Sequence, residues 1–273
     1  MLSIQIKLCL RWILPKRLKV RLQSKFITFI RNNRFHHVRS KGDAGIDVTF
    51  IEYKFIATPP DKRLIELAAT AAQILCSEKM IETSQDSDFG FCPLLFDFGN
   101  HYLLLTALAD AKRAKKVVEI GTAGGASVWA WLRADCVEMV HTWDIRPLEH
   151  SKQWLATPDC ERLVTEALEL ESNRWKQFVE DLSESNVWMQ RCQEIADADV
   201  IFVDGPHDGI FERALWSKII SLDNVKDILV IFDDIRLSSM VDFWTGLSVP
   251  KLDITFIGHQ SGTGIAFLEA NRK

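Results

Sequence analysis

VVEIGTAGGAS, Val117 to Ser127, decides how this chain is read. Its first residues are apolar and strand-prone up to Ile120, an acidic Glu119 stands near the strand end, and Gly121, Gly124 and Gly125 follow. A strand that runs through a glycine turn into a helix presents free backbone N–H groups and the positive end of the helix dipole to a ligand. A nucleotide-like molecule is the usual occupant. Glycine is expected there because a ligand lying on the backbone leaves no room for a Cβ. The spacing, Glu119-x-Gly121-x-x-x-Gly125, departs from the G-x-G-x-x-G of dinucleotide binders. Alone, it also fits an ordinary tight strand–helix turn.

The sequence on either side narrows the choice. MVHTWDI, residues 139–145, reads as a second strand ending in Asp144. A carboxylate at that position can accept from both hydroxyls of a ribose, and hydrogen bonds to a charged group contribute roughly 1.5–3 kcal/mol. The alternative is a solvated strand-end residue. Further on, ADVIFVDGPHDG (198–209) is a buried strand ending in Asp204, with His207 in the turn beyond it, and LVIFDDIRLSS (229–239) ends in adjacent Asp233 and Asp234. In a parallel sheet these strand ends share the edge that carries the glycine loop, where ligands collect.

Three carboxylates on one edge repel, and a divalent cation would relieve them. Oxygen donors favour Mg²⁺, Ca²⁺ or Mn²⁺ over zinc, so Asp204, Asp233 and Asp234 form the candidate metal set. The competing reading has one Asp capping a helix and another facing water. His207 is the candidate general base, since an ordinary imidazole titrates near neutrality; a loop histidine bonded to backbone is its alternative. His101, beside Asn100, is a second histidine placed to reach the same pocket.

The E-x-G-x-x-x-G loop, the acid at 144 and the acidic ends of the two later strands resemble a class I S-adenosylmethionine-dependent methyltransferase. The likeness covers roughly residues 115–268 and is closest to metal-dependent O-methyltransferases of small molecules, catechols and sugars. It implies S-adenosylmethionine as cofactor, with Gly121, Thr122, Gly124, Gly125 and Ser127 facing its methionine end, Glu119 near its amino group, Asp144 on the ribose and Asp204 beside it. It also implies Mg²⁺ on Asp204 and the Asp233/Asp234 pair. Some sugar O-methyltransferases share the Asp204-x-x-His207 spacing. DGPH at residues 204–207 differs from the [DN]-P-P-[FY] of enzymes that methylate bases and glutamine, which argues against nitrogen acceptors. A non-catalytic nucleotide-binding scaffold, an NAD-dependent oxidoreductase and a metal-dependent hydroxylase-like relative stay open as alternatives.

Periodicity predicts helix 61–75 with Asp61 or Thr58 as cap and Leu64, Ala68, Ala71 and Leu75 as its stripe, then helix 101–113. There follow strand 116–120, helix 124–133, strand 138–144, a helical region 149–183 broken at Pro158, strands 186–190 and 199–203, helix 209–221, strand 228–232, helix 237–245 and strands 253–257 and 263–268. The fold class is therefore α/β, a Rossmann-like, doubly wound, mostly parallel sheet with an antiparallel last strand and a helical N-terminal extension. Three segments are expected: a basic extension and linker at 1–60 with a strand at 48–56, a helical lead-in at 61–114 and the cofactor-binding domain at 115–273. Residues 84–100 read as a loop bordering a pocket. Trp129, Trp131, Trp143 and Trp154 read as core or cofactor-adjacent packing.

A chain of 273 residues with 47% hydrophobic content supports one substantial core and an appendage. Its net charge of −4 hides an asymmetry: residues 1–42 hold eleven Lys and Arg and no acid. The remaining 22 basic and 37 acidic residues leave a net −15. Within the basic arm, Leu18, Leu22, Phe26 and Phe29 lie at helical spacing. Peripheral contact of residues 1–31 with anionic lipid, docking on the body or on a second copy in a homo-oligomer, and a solvated basic face all fit it; nucleic acid does not, given the acidic body. An organelle presequence is a further alternative to a cytoplasmic setting. The six cysteines, Cys9, Cys76, Cys92, Cys136, Cys160 and Cys192, form no C-x-x-C pair and suit reduced, buried thiols. The expected partner is a small-molecule or saccharide acceptor.

Overall fold

The computed structural model describes residues 38–41, 47–50, 61–77, 101–150, 158–223 and 226–270. The chain divides into two compact units, Met1–Lys54 and Phe55–Lys273. In the smaller unit β1 (Val38–Lys41) and β2 (Asp47–Phe50) pair antiparallel, Val38 opposite Phe50 and Lys41 opposite Asp47. The basic amphipathic helix, the loop at 84–100, Trp154 and most of the strand expected at 48–56 lie outside the described residues.

The larger unit begins with α1 (Lys62–Leu75), whose cap Asp61 accepts the Arg63 amide at 2.8 Å. Its buried stripe is Leu64, Leu67, Ala68 and Ala71, with Leu75 partly covered. Next come α2 (His101–Lys112), β3 (Lys116–Ile120), α3 (Ala126–Leu132), β4 (Met139–Asp144), α4 (Pro158–Leu170) and β5 (Trp175–Val179). The chain continues through α5 (Ser185–Ala196), β6 (Val200–Val203), α6 (Phe211–Ile219), β7 (Ile228–Asp233), α7 (Val241–Gly246), β8 (Lys251–Asp253) and β9 (Thr263–Leu268). The seven sheet strands of this unit lie in the order β5-β4-β3-β6-β7-β9-β8. All neighbours are parallel except where β9 joins β7 and β8 antiparallel. This is the Rossmann-like sheet with its reversed last strand.

Strand alternation builds the two faces. Val117, Val140, Val200, Phe202, Leu229, Ile231, Ile265 and Phe267 share one core with α1, α2, α3 and α4. On the other face Phe232 meets Trp216, Phe243 and Trp244, from α6 and α7. The helices at 61–114 thus share the core of the sheet. The continuous apolar runs of β6 and β7 are buried throughout, as central parallel strands require. At the surface, Arg63 joins Asp61, Asp227 and Glu269, tying α1 to the end of β9.

Three elements differ in kind from the sequence reading. The strand expected at 186–190 is the first half of α5, and the third parallel edge strand is β5, inside the region read as helical. Covered positions in α5 fall at 187, 188, 191, 192 and 194–196, a helical recurrence. The edge strand β5 buries only Phe178 fully, and its central Gln177 spends its amide on Leu148 and Arg146 backbone, so no clean alternation marks it. Residues 255–257 form a short 3₁₀ turn after β8 where a strand was expected over 253–257. Of the cysteines, Cys76, Cys136 and Cys192 are unpaired, as expected, but Cys76 is exposed and the other two half-buried. Burial, with Asp110 beside it, pushes the Cys136 thiol up to about 12. Among the described residues no helix is long and apolar enough to cross a membrane.

The antiparallel junction gives a stability prediction. A Cβ on Gly264 of β9 would stand 2.6 Å from the Trp244 indole. Gly264→Ala should cost about 1–3 kcal/mol through overpacking, read by denaturant unfolding; an unchanged midpoint would show that this face is loosely packed.

Candidate functional site

The glycine loop joins three strand ends. The Gly121 amide donates to the Trp143 carbonyl at 2.8 Å, and the Asp204 amide donates to the Ile120 carbonyl at 2.9 Å. Gly121 has φ of +112°, and a Cβ there would fall 1.8 Å from the Asp204 carbonyl oxygen. At Gly125, φ is +84° and a Cβ would meet Leu168 at 2.8 Å and Leu148 at 3.2 Å. The glycines therefore answer to left-handed backbone and to the protein's own packing, where the sequence reading expected a ligand to exclude the Cβ. The helix that follows, α3, is shorter than expected and starts at Ala126.

Beneath the loop Glu119 is fully buried (0% exposed). Trp131 Nε1 donates to its Oε2 at 2.8 Å and Thr142 Oγ1 to its Oε1 at 3.0 Å. Thr142 in turn meets Thr122 Oγ1 at 2.7 Å, which joins the acid to the loop above. Burial, reinforced by the charge of Asp204, pushes Glu119 up to about 8 against its hydrogen bonds. The resemblance places Glu119 at the cofactor's amino group; the structure turns it inward, where it braces α3 and β4 as a neutral acid at pH 7.

Asp144 stands on the rim. Its Oδ2 accepts the amides of Thr122 and Ala123 at 3.1 and 3.0 Å, and its Oδ1 accepts that of Arg146 at 2.9 Å. A carboxylate offers about four lone-pair sites, so roughly one stays open for an outside hydroxyl. The two-pronged ribose contact expected from sequence is reduced to one prong unless a loop amide lets go.

The three aspartates divide between two sets of partners. Asp204, just past β6, lies 3.1 Å from His207 Nε2, and Asp234, just past β7, lies 3.6 Å from the same nitrogen. Asp233 is the last residue of β7 and follows Leu229 and Ile231 onto the face covered by α2. There His259 Nε2 lies 2.7 Å from its Oδ1 and His101 Nδ1 lies 3.8 Å from it. The single carboxylate trio expected from sequence is thus two adjoining groups. Sequence reasoning reached His101 and missed His259, which sits in the GHQSGTG turn before β9 with no motif around it.

Charge balance follows the same division. Burial raises Asp204 to about 6, and the charge of Asp233 adds to that effect. Burial and Asp233 also raise Asp234. His207 is opposed by burial yet lifted to about 9 by Asp204, Asp234 and Asp233. Asp233 is raised by burial but ends near 2 because His101 and His259 face it. Burial drives His101 down to about 4, while His259, opposed by burial, is raised above its ordinary value by Asp233.

The turn carrying His207 is itself built. Buried Glu212 accepts the His207 and Gly209 amides at 2.9 and 2.8 Å, and Ser239 donates to the His207 carbonyl. Sequence reasoning did not reach Glu212. Ala123, His207 and Asp234 all have positive φ, at 41°, 54° and 54°. Strained backbone of this kind gathers where surrounding structure holds it for a function. An open groove of about 520 Å³ lies elsewhere, lined by Leu132, Arg133, Val137, Glu138 and Arg174 at the opposite end of the strands, and holds none of these groups.

The fold and the rim together define a Rossmann-like α/β protein with a glycine-rich strand–helix loop and an acid–histidine cluster on the edge where the parallel strands end. No protein-family model and no curated protein matches the chain. Among solved structures it is similar to an O-methyltransferase of Streptomyces achromogenes involved in tomaymycin synthesis, in complex with S-adenosylmethionine. The identity is 16%, the match covers 76% of this chain and 96% of the other, and the TM-score is 0.43. It is also similar to an O-methyltransferase of Bacillus cereus in complex with S-adenosylhomocysteine, at 17% identity over 78% and 94% of the two chains and a TM-score of 0.39. An S-adenosylhomocysteine-bound methyltransferase of Podospora anserina is 14% identical over 93% and 98%, with a TM-score of 0.42.

Buried Glu119 makes stability depend on pH. Its ordinary value is 4.5 and its folded value about 8, so between these the folded state keeps a proton that the unfolded state has lost. Its stabilising contribution is whole below the lower value and is lost as pH rises through the upper one. Glu119→Gln should therefore flatten the fall in melting temperature from about pH 5 to about pH 8, relative to wild type. Parallel slopes for the two proteins would disprove a protonated Glu119.

Proposed function

We propose that this protein is an S-adenosylmethionine-dependent O-methyltransferase that acts on a hydroxyl of a small molecule or glycoconjugate with the help of a divalent cation. The observation that carries the reading is the junction at Gly121 and Asp204, which sets the loop and Asp144 beside the Asp204–His207–Asp234 group on one sheet edge.

The residues fit the cofactor in kind. The remaining acceptor site of Asp144 suits a ribose hydroxyl, the turn at Gly121–Gly125 lies next to it, and Thr122 and Ser127 line its base. When bound, the sulfonium cofactor supplies an electrophilic methyl group. The all-oxygen pair Asp204 and Asp234 fits a hard ion such as Mg²⁺, which would supply Lewis-acid polarisation of the acceptor oxygen; Asp233 stands at the margin, occupied by imidazoles.

His207 is the base in this reading. Its Nε2 points to Asp204 and Asp234, in position to take a proton from a hydroxyl presented between them. While those carboxylates face it uncompensated, it holds its own proton at neutral pH. Neutralising their charge is what frees the nitrogen. Glu212 and Ser239 orient the turn, so the imidazole is placed before any substrate arrives.

Calorimetric titration with S-adenosylmethionine tests the assignment. Wild type should bind, Asp144→Asn should bind about tenfold more weakly, and His207→Ala should keep cofactor affinity while losing roughly 10²–10⁴-fold in turnover. Heat with NADH and none with any adenosyl sulfonium would sink the methyltransferase reading in favour of an oxidoreductase. Full turnover in EDTA would remove the cation from it.

A further inference from the structure

We propose that His101, Asp233 and His259 form a binding site for a first-row divalent transition ion such as Zn²⁺, distinct in donor chemistry from the oxygen pair Asp204 and Asp234. One ligand atom from each of the three residues lies within 4.8 Å of the other two. All three are buried, at 5%, 6% and 7% exposure. Two imidazoles with one carboxylate are the donor set that zinc, iron, cobalt and manganese take with an open position. Mg²⁺, which prefers oxygen and water, is poorly served by it.

A second observation points to a missing ligand. His101 Nδ1 is fully buried, has no hydrogen-bond partner and faces Asp233 Oδ1 at 3.8 Å. Buried polar nitrogens are ordinarily paired. Its ring stands edge-on to His259, centroids 4.3 Å apart, beside Tyr102 and Phe202.

The surroundings also give His259 an outer partner. Ser261 Oγ lies 2.7 Å from His259 Nδ1. With Nδ1 held by the serine oxygen, Nε2 is the nitrogen that faces Asp233 Oδ1, 2.7 Å away. Such an outer partner is the usual means of orienting a ligating imidazole. Metal–nitrogen bonds of about 2.0–2.1 Å need ligand atoms roughly 3–3.5 Å apart, so the present spacings call for side-chain adjustments and no movement of the strands.

The proposal does not rest on methyl transfer, and its test reads the metal directly. Metal-stripped full chain is titrated with Zn²⁺ by calorimetry and with Co²⁺ by visible absorption. One ion per chain with ligand-field bands is expected, excess Mg²⁺ leaving it in place. His101→Ala and His259→Ala should each weaken Zn²⁺ roughly tenfold or more, while Asp204→Asn stays near wild type. Pulsed EPR of the Cu²⁺-loaded wild type gives a reading that needs no variant: couplings from two imidazoles support the site, and their absence overturns it. Equal Zn²⁺ affinity in the histidine variants, or a loss confined to Asp204→Asn, would assign the ion to the oxygen pair and overturn it as well. Zn²⁺ bound without any affinity for S-adenosylmethionine would leave this site standing and remove the methyltransferase reading.

Discussion

Gly121 and the Asp204 carbonyl touch, and the rest of the rim depends on that contact. No side chain fits between them, so β3 and β6 end at a common level and the loop of one leans on the backbone of the other. The Gly121 amide reaches across to β4 as well, which brings Asp144 within reach of the loop amides. Three strand ends are thereby locked into one frame, and Asp144 at the end of β4 and Asp204 just past β6 take their places from it. Larger residues at 121 would disturb Asp144 and Asp204 together, although these are 60 positions apart in the chain.

Electrostatics then sort the acids. Strand alternation sends Asp233 to the face under α2 and leaves Asp204 and Asp234 at the open edge. Each group has drawn in a histidine whose proton affinity its carboxylates raise, His259 for the first and His207 for the second. A buried carboxylate without such a partner would protonate, as Glu119 does. Nothing in the composition announces this arrangement, because it needs residues from the start of α2, two strand ends and the turn before β9.

Much of the fold could be read from the chain because its central strands are continuous apolar runs with acids at their ends. VVEI, VIFV and ILVIFD are buried on both faces, and such runs have few other homes. The edge was harder to read. Trp175–Val179 shows one face to solvent and uses a glutamine for loop contacts, so its pattern carried little signal, while the β-prone Val187 and Trp188 belong to a helix. At the site, sequence spacing located Asp144, Asp204, His207, Asp233 and Asp234 but not their pairing. His259 depends wholly on long-range topology: β9 must lie beside β7 before its preceding turn can reach Asp233.

The Arg63 junction has a consequence for how this unit could be rearranged. Because the guanidinium that opens the first helix grips Glu269 after the last strand, the two ends of the larger unit's described core meet at one surface point. Exposed ion pairs of this sort contribute little to stability, yet their geometry marks where a polypeptide could be circularised and recut with every sheet neighbour retained. Seen that way, the architecture is a closed ring of contacts that happens to be interrupted between these residues, and its order along the chain is one of several compatible with the same sheet.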